Sequence, residues 1–483
     1  MSFVSLNFAA FFAAVLLGLA LMPTRAAKHA LLLVANVVFY GFKTPWFLAV
    51  LAVPSLVDFA CALRIERATD ARERRSWLVL SLVCNLGILF YYKYSNFFGD
   101  IVATATGAPH LLIYVALPVG ISFFTFKTMS YTIDVYRGQL PACRSLWRYA
   151  MFVSFFPELV AGPIVRASVF LPQMDRAMRL SWARVGSGLQ IALLGLTKKL
   201  LVADRLSIFV DPVFASPATY SQGTILTAIV AYSLQIYCDF SGYSDMAVGI
   251  ARVIGFDLPE NFNMPYASTS ITEFWRRWHI TLSQWLRDYL YIPLGGSRRG
   301  PLRTYVNLML TMLLGGLWHG ASWTFVIWGA LHGVGLAVHK LWISMGSDSI
   351  ESNNQWSLTP LKSLKAVAGW AATYAFVCLG WVFFRCATFD DAALVLRKAV
   401  GLTPGGVSWL YAPTFLFAAI AAAAHVLGSA RAQRQTADGH VAADSYPVLR
   451  SVGFASAFVI TAWLVILLLF VPQHRSPFIY FQF

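Results

Sequence analysis

Long apolar runs separated by short polar interruptions repeat along the whole chain: Phe3–Leu21, Ala30–Tyr40, Phe47–Leu63, Trp77–Tyr92, Leu111–Ile133, Tyr149–Val160, Val185–Val202, Ile225–Ile254, Tyr305–Leu317, Ser322–Val338, Ala366–Phe384, Thr414–Leu427 and Val452–Val471. Within a run the apolar positions are continuous rather than alternating. That pattern predicts helices and argues against a β-barrel. A membrane-crossing helix needs ~20 residues. Several runs fall short of that, so some are expected to be re-entrant or half-length. The pattern predicts an all-α polytopic membrane protein of about ten to thirteen membrane segments. It reads as a single integral membrane domain over residues 1–483, with no soluble domain, no long linker and no internal repeat of the kind that marks a duplicated transporter.

Composition strengthens this class. The chain is 58% hydrophobic and 12% charged, against roughly 25% charged for a soluble domain. Its mean hydropathy is +0.63. The first run is not read as a cleaved signal, because Met1–Ser5 carries no basic side chain and Arg25 and Lys28 follow the apolar stretch. By the positive-inside bias, Arg25, the arginines between Arg64 and Arg75, the loop Arg137–Arg148, and Arg431, Arg434 and Arg450 are cytoplasmic. The tail from Gln473 to Phe483 then lies outside. The net charge of +15 is mainly this signature, and a nucleic-acid partner is not expected. The six cysteines show neither a CxxC pair nor metal spacing, so neither a disulfide framework nor a metal site is expected.

Two histidines stand in tryptophan-rich settings inside this apolar body: Trp275-Arg276-Arg277-Trp278-His279 and Gly315-Gly316-Leu317-Trp318-His319-Gly320. An ionisable residue at membrane depth is costly unless it pairs, meets water or works. The run Tyr305–Leu317 rises only ~20 Å, short of the ~30 Å hydrocarbon core, and is predicted to break at Gly315-Gly316. Irregular backbone at depth is tolerated where it lines a cavity or is buried in protein. His319 is thereby placed on a helix end, beside glycines that let a substrate approach. A membrane histidine can equally serve as a helix–helix hydrogen-bond partner. As a neutral imidazole, His319 suits general-base work. His332 would not share its face on a continuous helix and is taken as structural.

Trp275, Trp278, His279 and Leu282 fall on one face if residues 275–282 form one helix. Two readings stay open for this segment. It is an interfacial amphipathic helix with arginines to lipid phosphate, or a basic cytoplasmic mouth, with Arg276 and Arg277, that attracts an anionic donor. Asp239, Tyr243 and Asp245 interrupt another apolar run. They read as organisers of a polar interior, their spacing being poor for a metal site.

These segments resemble the membrane-bound O-acyltransferase family, on the bacterial branch that acetylates exopolysaccharides such as alginate. The resemblance is carried by Pro118–Phe123, Phe156–Ile164, Tyr237–Asp245, Phe274–Leu282, Leu294–Gly296, Gly316–Trp323, Gly380–Arg385 and Phe478–Phe483, segments spread over nearly the whole chain. It implies a helical core with a tunnel across the membrane and a catalytic histidine at His319. A second, more subfamily-specific histidine falls at His279. Trp278, Trp318, Asp239, Tyr243, Asp245, Arg276 and Arg277 are the expected donor-site or tunnel-lining residues. The resemblance further implies acetyl-CoA as donor, with no permanently bound cofactor, and a bacterial inner-membrane location. It implies a periplasmic serine-hydrolase-like partner that completes acetylation of the polysaccharide, with Phe478, Tyr480, Phe481 and Phe483 as docking anchors. Acetylation of cellulose or peptidoglycan, D-alanyl transfer, and non-enzymatic polysaccharide or acyl transport are the alternatives.

Overall fold

The computed structural model describes residues 1–107, 115–176, 181–345, 360–437, 454–472 and 476–479. The start of the run at Leu111, the start of the run at Val452, and Arg450 lie outside them. Among the described residues the chain is helical, with a lone parallel bridge between Tyr220 and Val407. In chain order the helices are α1 Leu6–Leu21, α2 Arg25–Gly41, α3 Phe47–Arg67, α4 Ala71–Leu89, α5 Ser95–Thr106, α6 Ile121–Tyr136 and α7 Leu146–Ser154. Then come α8 Phe156–Leu159, α9 Ala167–Phe170, α10 Trp182–Thr197, α11 Asp204–Ala215, α12 Gln222–Ile254, α13 Ile271–Arg277 and α14 Ile280–Leu286. The last are α15 Pro301–His319, α16 Trp323–Ser344, α17 Pro360–Arg385, α18 Phe389–Ala399, α19 Ala412–Ala437 and α20 Phe454–Phe470.

Among the described residues, seven stretches are long and apolar enough to cross a membrane: 47–67, 71–106, 182–215, 222–254, 323–344, 364–385 and 412–429. Leu6–Leu21 and Ala457–Phe470 are shorter apolar helices. The sequence pattern anticipates ten to thirteen segments. That anticipation includes half-length segments, and the runs that become α6 and α7 form short buried helices.

The contacts group the chain into two compact units, Met1–Leu196 with Tyr243–Pro259 and Val448–Leu464, and Thr197–Gly242 with Glu260–Pro447 and Val465–Phe483. Neither is contiguous, so no linker in the sequence marks the division.

The first unit is organised around α6, which carries Ser122, Thr125, Lys127, Thr128, Ser130, Thr132 and Asp134 and is buried on nearly every face. A helix enclosed all round can hold polar groups only where each finds a partner. Thr128 donates to Asn85 Oδ1 at 2.8 Å, and Asn85 and Ser81 of α4 donate to Asp58 of α3 at 2.8 and 2.6 Å. Lys127 is ion-paired with Glu158 of α8, both side chains closed to solvent, and also donates to the Phe152 carbonyl at 2.7 Å.

The second unit holds the histidine segments. Its central feature is the hairpin of α15 and α16. Ser322 caps α16 by accepting from the Thr324 N–H at 3.4 Å. The two helices approach closely because side chains are missing at the contact: a Cβ at Gly316 would run into the Phe325 carbonyl oxygen, and one at Gly329 into that of Met312. Leu302, Leu310 and Leu314 of α15 and Val334, Val338 and Leu341 of α16 remain exposed, an apolar surface suited to lipid.

Candidate functional site

His319 is the last residue of α15, and the helix runs on through Gly315 and Gly316. The predicted break at the Gly-Gly pair is therefore displaced to Gly320, whose extended backbone ends the helix while its N–H bonds the Gly316 carbonyl at 3.3 Å. At nineteen residues α15 rises ~28 Å, nearly a full crossing. Two of the glycines also have a packing job: Gly316 seats α16 and a Cβ at Gly320 would fall on the Phe325 ring, whereas Gly315 faces Leu286 of α14. The His319 imidazole is only 4% exposed. Three rings meet it edge-on: Trp328 at 4.9 Å, Trp318 at 5.0 Å and Phe384 of α17 at 5.3 Å.

His279 sits where a single helix was expected and the backbone breaks instead. α13 ends at Arg277, Trp278 is extended, and His279 takes the left-handed conformation with φ 41° before α14 begins. For a non-glycine residue this is a costly geometry, held only where surroundings over-determine it. The loop from Asn261 to Asn263 does so. The Asn263 N–H donates to the Arg277 carbonyl, and the Ile280 N–H to the Asn261 carbonyl, both at 2.9 Å. The one-face reading of residues 275–282 and the interfacial-helix reading both give way. Trp275, Trp278, His279 and Leu282 are all buried inside the chain.

The same loop sets the tautomer of His279. Asn261 Oδ1 accepts from the Thr281 N–H at 3.2 Å and from Thr281 Oγ1 at 2.9 Å. The Thr281 N–H can only donate, which fixes that Asn261 atom as the oxygen. His279 Nδ1, 3.1 Å from it, therefore carries the proton, and Nε2 presents a lone pair. Burial pushes the pKa of this imidazole down to about 3, so it is neutral at physiological pH. Phe240 meets its ring edge-on at 4.7 Å, and the Trp318 ring lies 6.1 Å away.

The structure thus brings His279, Trp318 and His319 together, with both imidazoles against one indole. Trp278 joins the same aromatic body through Trp381 at 4.9 Å, and Trp381 stacks with Trp328 at 6.2 Å. His332 of α16 is fully buried, its Nδ1 accepting from the Trp275 indole at 3.3 Å and its ring 4.7 Å from Trp328. This tethering accounts for His332, whereas the argument from a shared helix face lapses because the chain breaks between α15 and α16.

The remaining predicted residues are dispersed. Arg276 is exposed. Arg277 is turned to Glu273 at 2.8 Å, to the Asn263 carbonyl and to Ser429. Tyr243 and Asp245 lie in the first unit, where Tyr243 stacks on Phe3 at 4.7 Å. Asp239 belongs to the second unit and is ion-paired with Lys199. That partner was missed, although Lys198-Lys199 inside an apolar run was the available signal. Phe478 was expected to be a docking anchor and is instead buried in its own chain, 6.0 Å from Phe240. Tyr480, Phe481 and Phe483 lie outside the described residues.

A model of the membrane-bound O-acyltransferase family matches residues 32–397. The chain is 40% identical to the probable alginate O-acetylase AlgI of Pseudomonas putida, over 100% of both chains. It is 38% identical to the peptidoglycan O-acetyltransferase of Helicobacter pylori, over 78% of this chain and 74% of that one. Likeness extends to the teichoic acid D-alanyltransferase of Bacillus subtilis, at 27% identity over 57% of this chain and 70% of that one.

Proposed function

The chain belongs to the membrane-bound O-acyltransferase family, and on that premise we propose that it carries acetyl groups from a cytoplasmic donor, acetyl-CoA, across the bacterial inner membrane for O-acetylation of an alginate-like exopolysaccharide. The full-length likeness to an alginate O-acetylase favours this substrate over peptidoglycan or D-alanyl transfer. The acceptor on the outer side is a periplasmic serine-hydrolase-like protein that completes the transfer.

The observation that carries the reading is two buried imidazoles in contact with one indole, His319 at a helix end and His279 with its tautomer set by Asn261. His319 removes the proton from an acceptor hydroxyl as the oxygen attacks the thioester carbonyl. Collapse of the tetrahedral intermediate breaks the C–S bond, and the proton passes to the departing thiolate. His279, neutral and fixed in tautomer, orients the reacting group through Nε2. The aromatic walls exclude water, which would otherwise consume the thioester.

The test is acetyl-CoA thioester cleavage and acetyl transfer by purified protein in nanodiscs. His319→Ala is expected to lose at least about a hundredfold in rate, the scale of a general base, while remaining monodisperse. His332→Gln is expected to lose far less. Undiminished transfer by a well-folded His319→Ala protein overturns the assignment.

A further inference from the structure

Lys199 lies in the π-turn Lys198–Ala203 between α10 and α11, Asp204 opens α11, and Asp239 lies near the middle of α12. Lys199 Nζ stands 2.9 Å from Asp204 and is ion-paired with Asp239, and all three side chains are at most 6% exposed. A hydrophobic replacement of such a buried ion cluster is often no less stable, so stability alone does not explain it, whereas fixing a register can. The free valences of this cluster go to a distant piece of main chain. Lys199 Nζ donates to the Ser476 carbonyl at 2.8 Å, and the Ile479 N–H donates to Asp239 Oδ2 at 2.7 Å. One donor and one acceptor thus hold a four-residue segment at both ends. Between them, Phe478 is set against Phe240, and Phe240 meets the His279 ring edge-on.

We propose that Lys199, Asp204 and Asp239 form an ionic clasp that fixes the segment Ser476–Ile479, so that Phe478 and Phe240 together hold the His279 ring in place. These three are positioning residues for acyl transfer. The link to transfer rests on the O-acyltransferase reading, whereas the clasp itself needs no donor. Both contacts are to backbone atoms, so the tail's side-chain pattern carries no sign of them.

Full-length protein in nanodiscs tests both halves. Lys199→Met opens the clasp. Ile479→Pro removes the donating N–H and leaves the cluster whole, which guards against misfolding of the first variant. Intact mass after limited digestion with a broad-specificity endoprotease is expected to show trimming of the tail about ten to a hundred times faster than in wild type, the scale of a hydrogen bond to a charged group. With acetyl-CoA as probe donor, kcat is expected to fall about tenfold while KM stays within about twofold, because only the reacting geometry is disturbed. Asp239→Asn, which keeps an acceptor for Ile479, is expected to recover part of the activity that Asp239→Leu loses. Trimming at the wild-type rate in both variants overturns the clasp. Faster trimming with unchanged kcat, or an equal rise in KM, overturns the positioning role. If wild type turns over no acetyl-CoA, the donor reading fails and the trimming result still decides the clasp.

Discussion

At the residue scale, Asn261 does more for the site than any feature singled out in the sequence. One side-chain oxygen accepts from His279 and twice from Thr281. Asn261→Ala leaves these buried donors without their acceptor, at about 1–3 kcal/mol for each group stranded. The expected outcome is a drop of several degrees in the apparent melting temperature in detergent, with transfer reduced about tenfold or more because His279 loses its fixed tautomer. Wild-type melting and turnover together would show that the bond to His279 carries nothing. Asn261 was not legible beforehand because its role depends on a fold-back of the chain across eighteen residues. His319 and His279 were legible because ionisable side chains between tryptophans in an apolar run are rare enough to stand out.

At the element scale, the α15–α16 hairpin shows how a correct motif can be given the wrong geometry. Gly-Gly reads as a helix breaker in water, where exposed backbone is cheap. Between packed membrane helices the same residues stay helical and supply contact. Neighbouring positions discriminate the two readings. A Cβ at Gly316 meets the Phe325 carbonyl, which cannot yield, whereas one at Gly315 meets only the tip of Leu286 at 3.3 Å. Gly316→Ala is expected to destabilise by about 1–3 kcal/mol or more and to broaden the size-exclusion profile, and Gly315→Ala to run like wild type. Equal behaviour of the two would refute the close approach. The break at His279 was equally hidden, because an i, i+3, i+4, i+7 pattern is satisfied as well by two short buried helices as by one.

At the scale of the whole molecule, apolar composition told correctly that the chain is a polytopic helical membrane protein, and seven stretches among the described residues are long and apolar enough to cross. Hydropathy scores the residue, whereas crossing depends on length and on which surface meets lipid, so buried pieces such as α7 and α8 score like spans. The sidedness of the loops remains the strongest testable element of that reading. Arg298 and Arg299 are exposed beyond α14, and a single cysteine placed at 298 in a cysteine-free background is expected to react with an impermeant maleimide in inverted vesicles but not in intact spheroplasts. The opposite labelling would reverse the topology and the donor route with it. The Lys127–Glu158 pair carries a different consequence, one for biogenesis. The two partners are 31 residues apart, so α6 leaves the ribosome while its counter-ion is still to follow. A lysine that enters hydrocarbon without its partner costs up to about 2.5–3.5 kcal/mol on insertion scales. α6 must therefore wait beside the translocon, or in the shelter of α3 and α4, until α8 arrives, and the order of synthesis becomes part of how this enzyme enters the membrane.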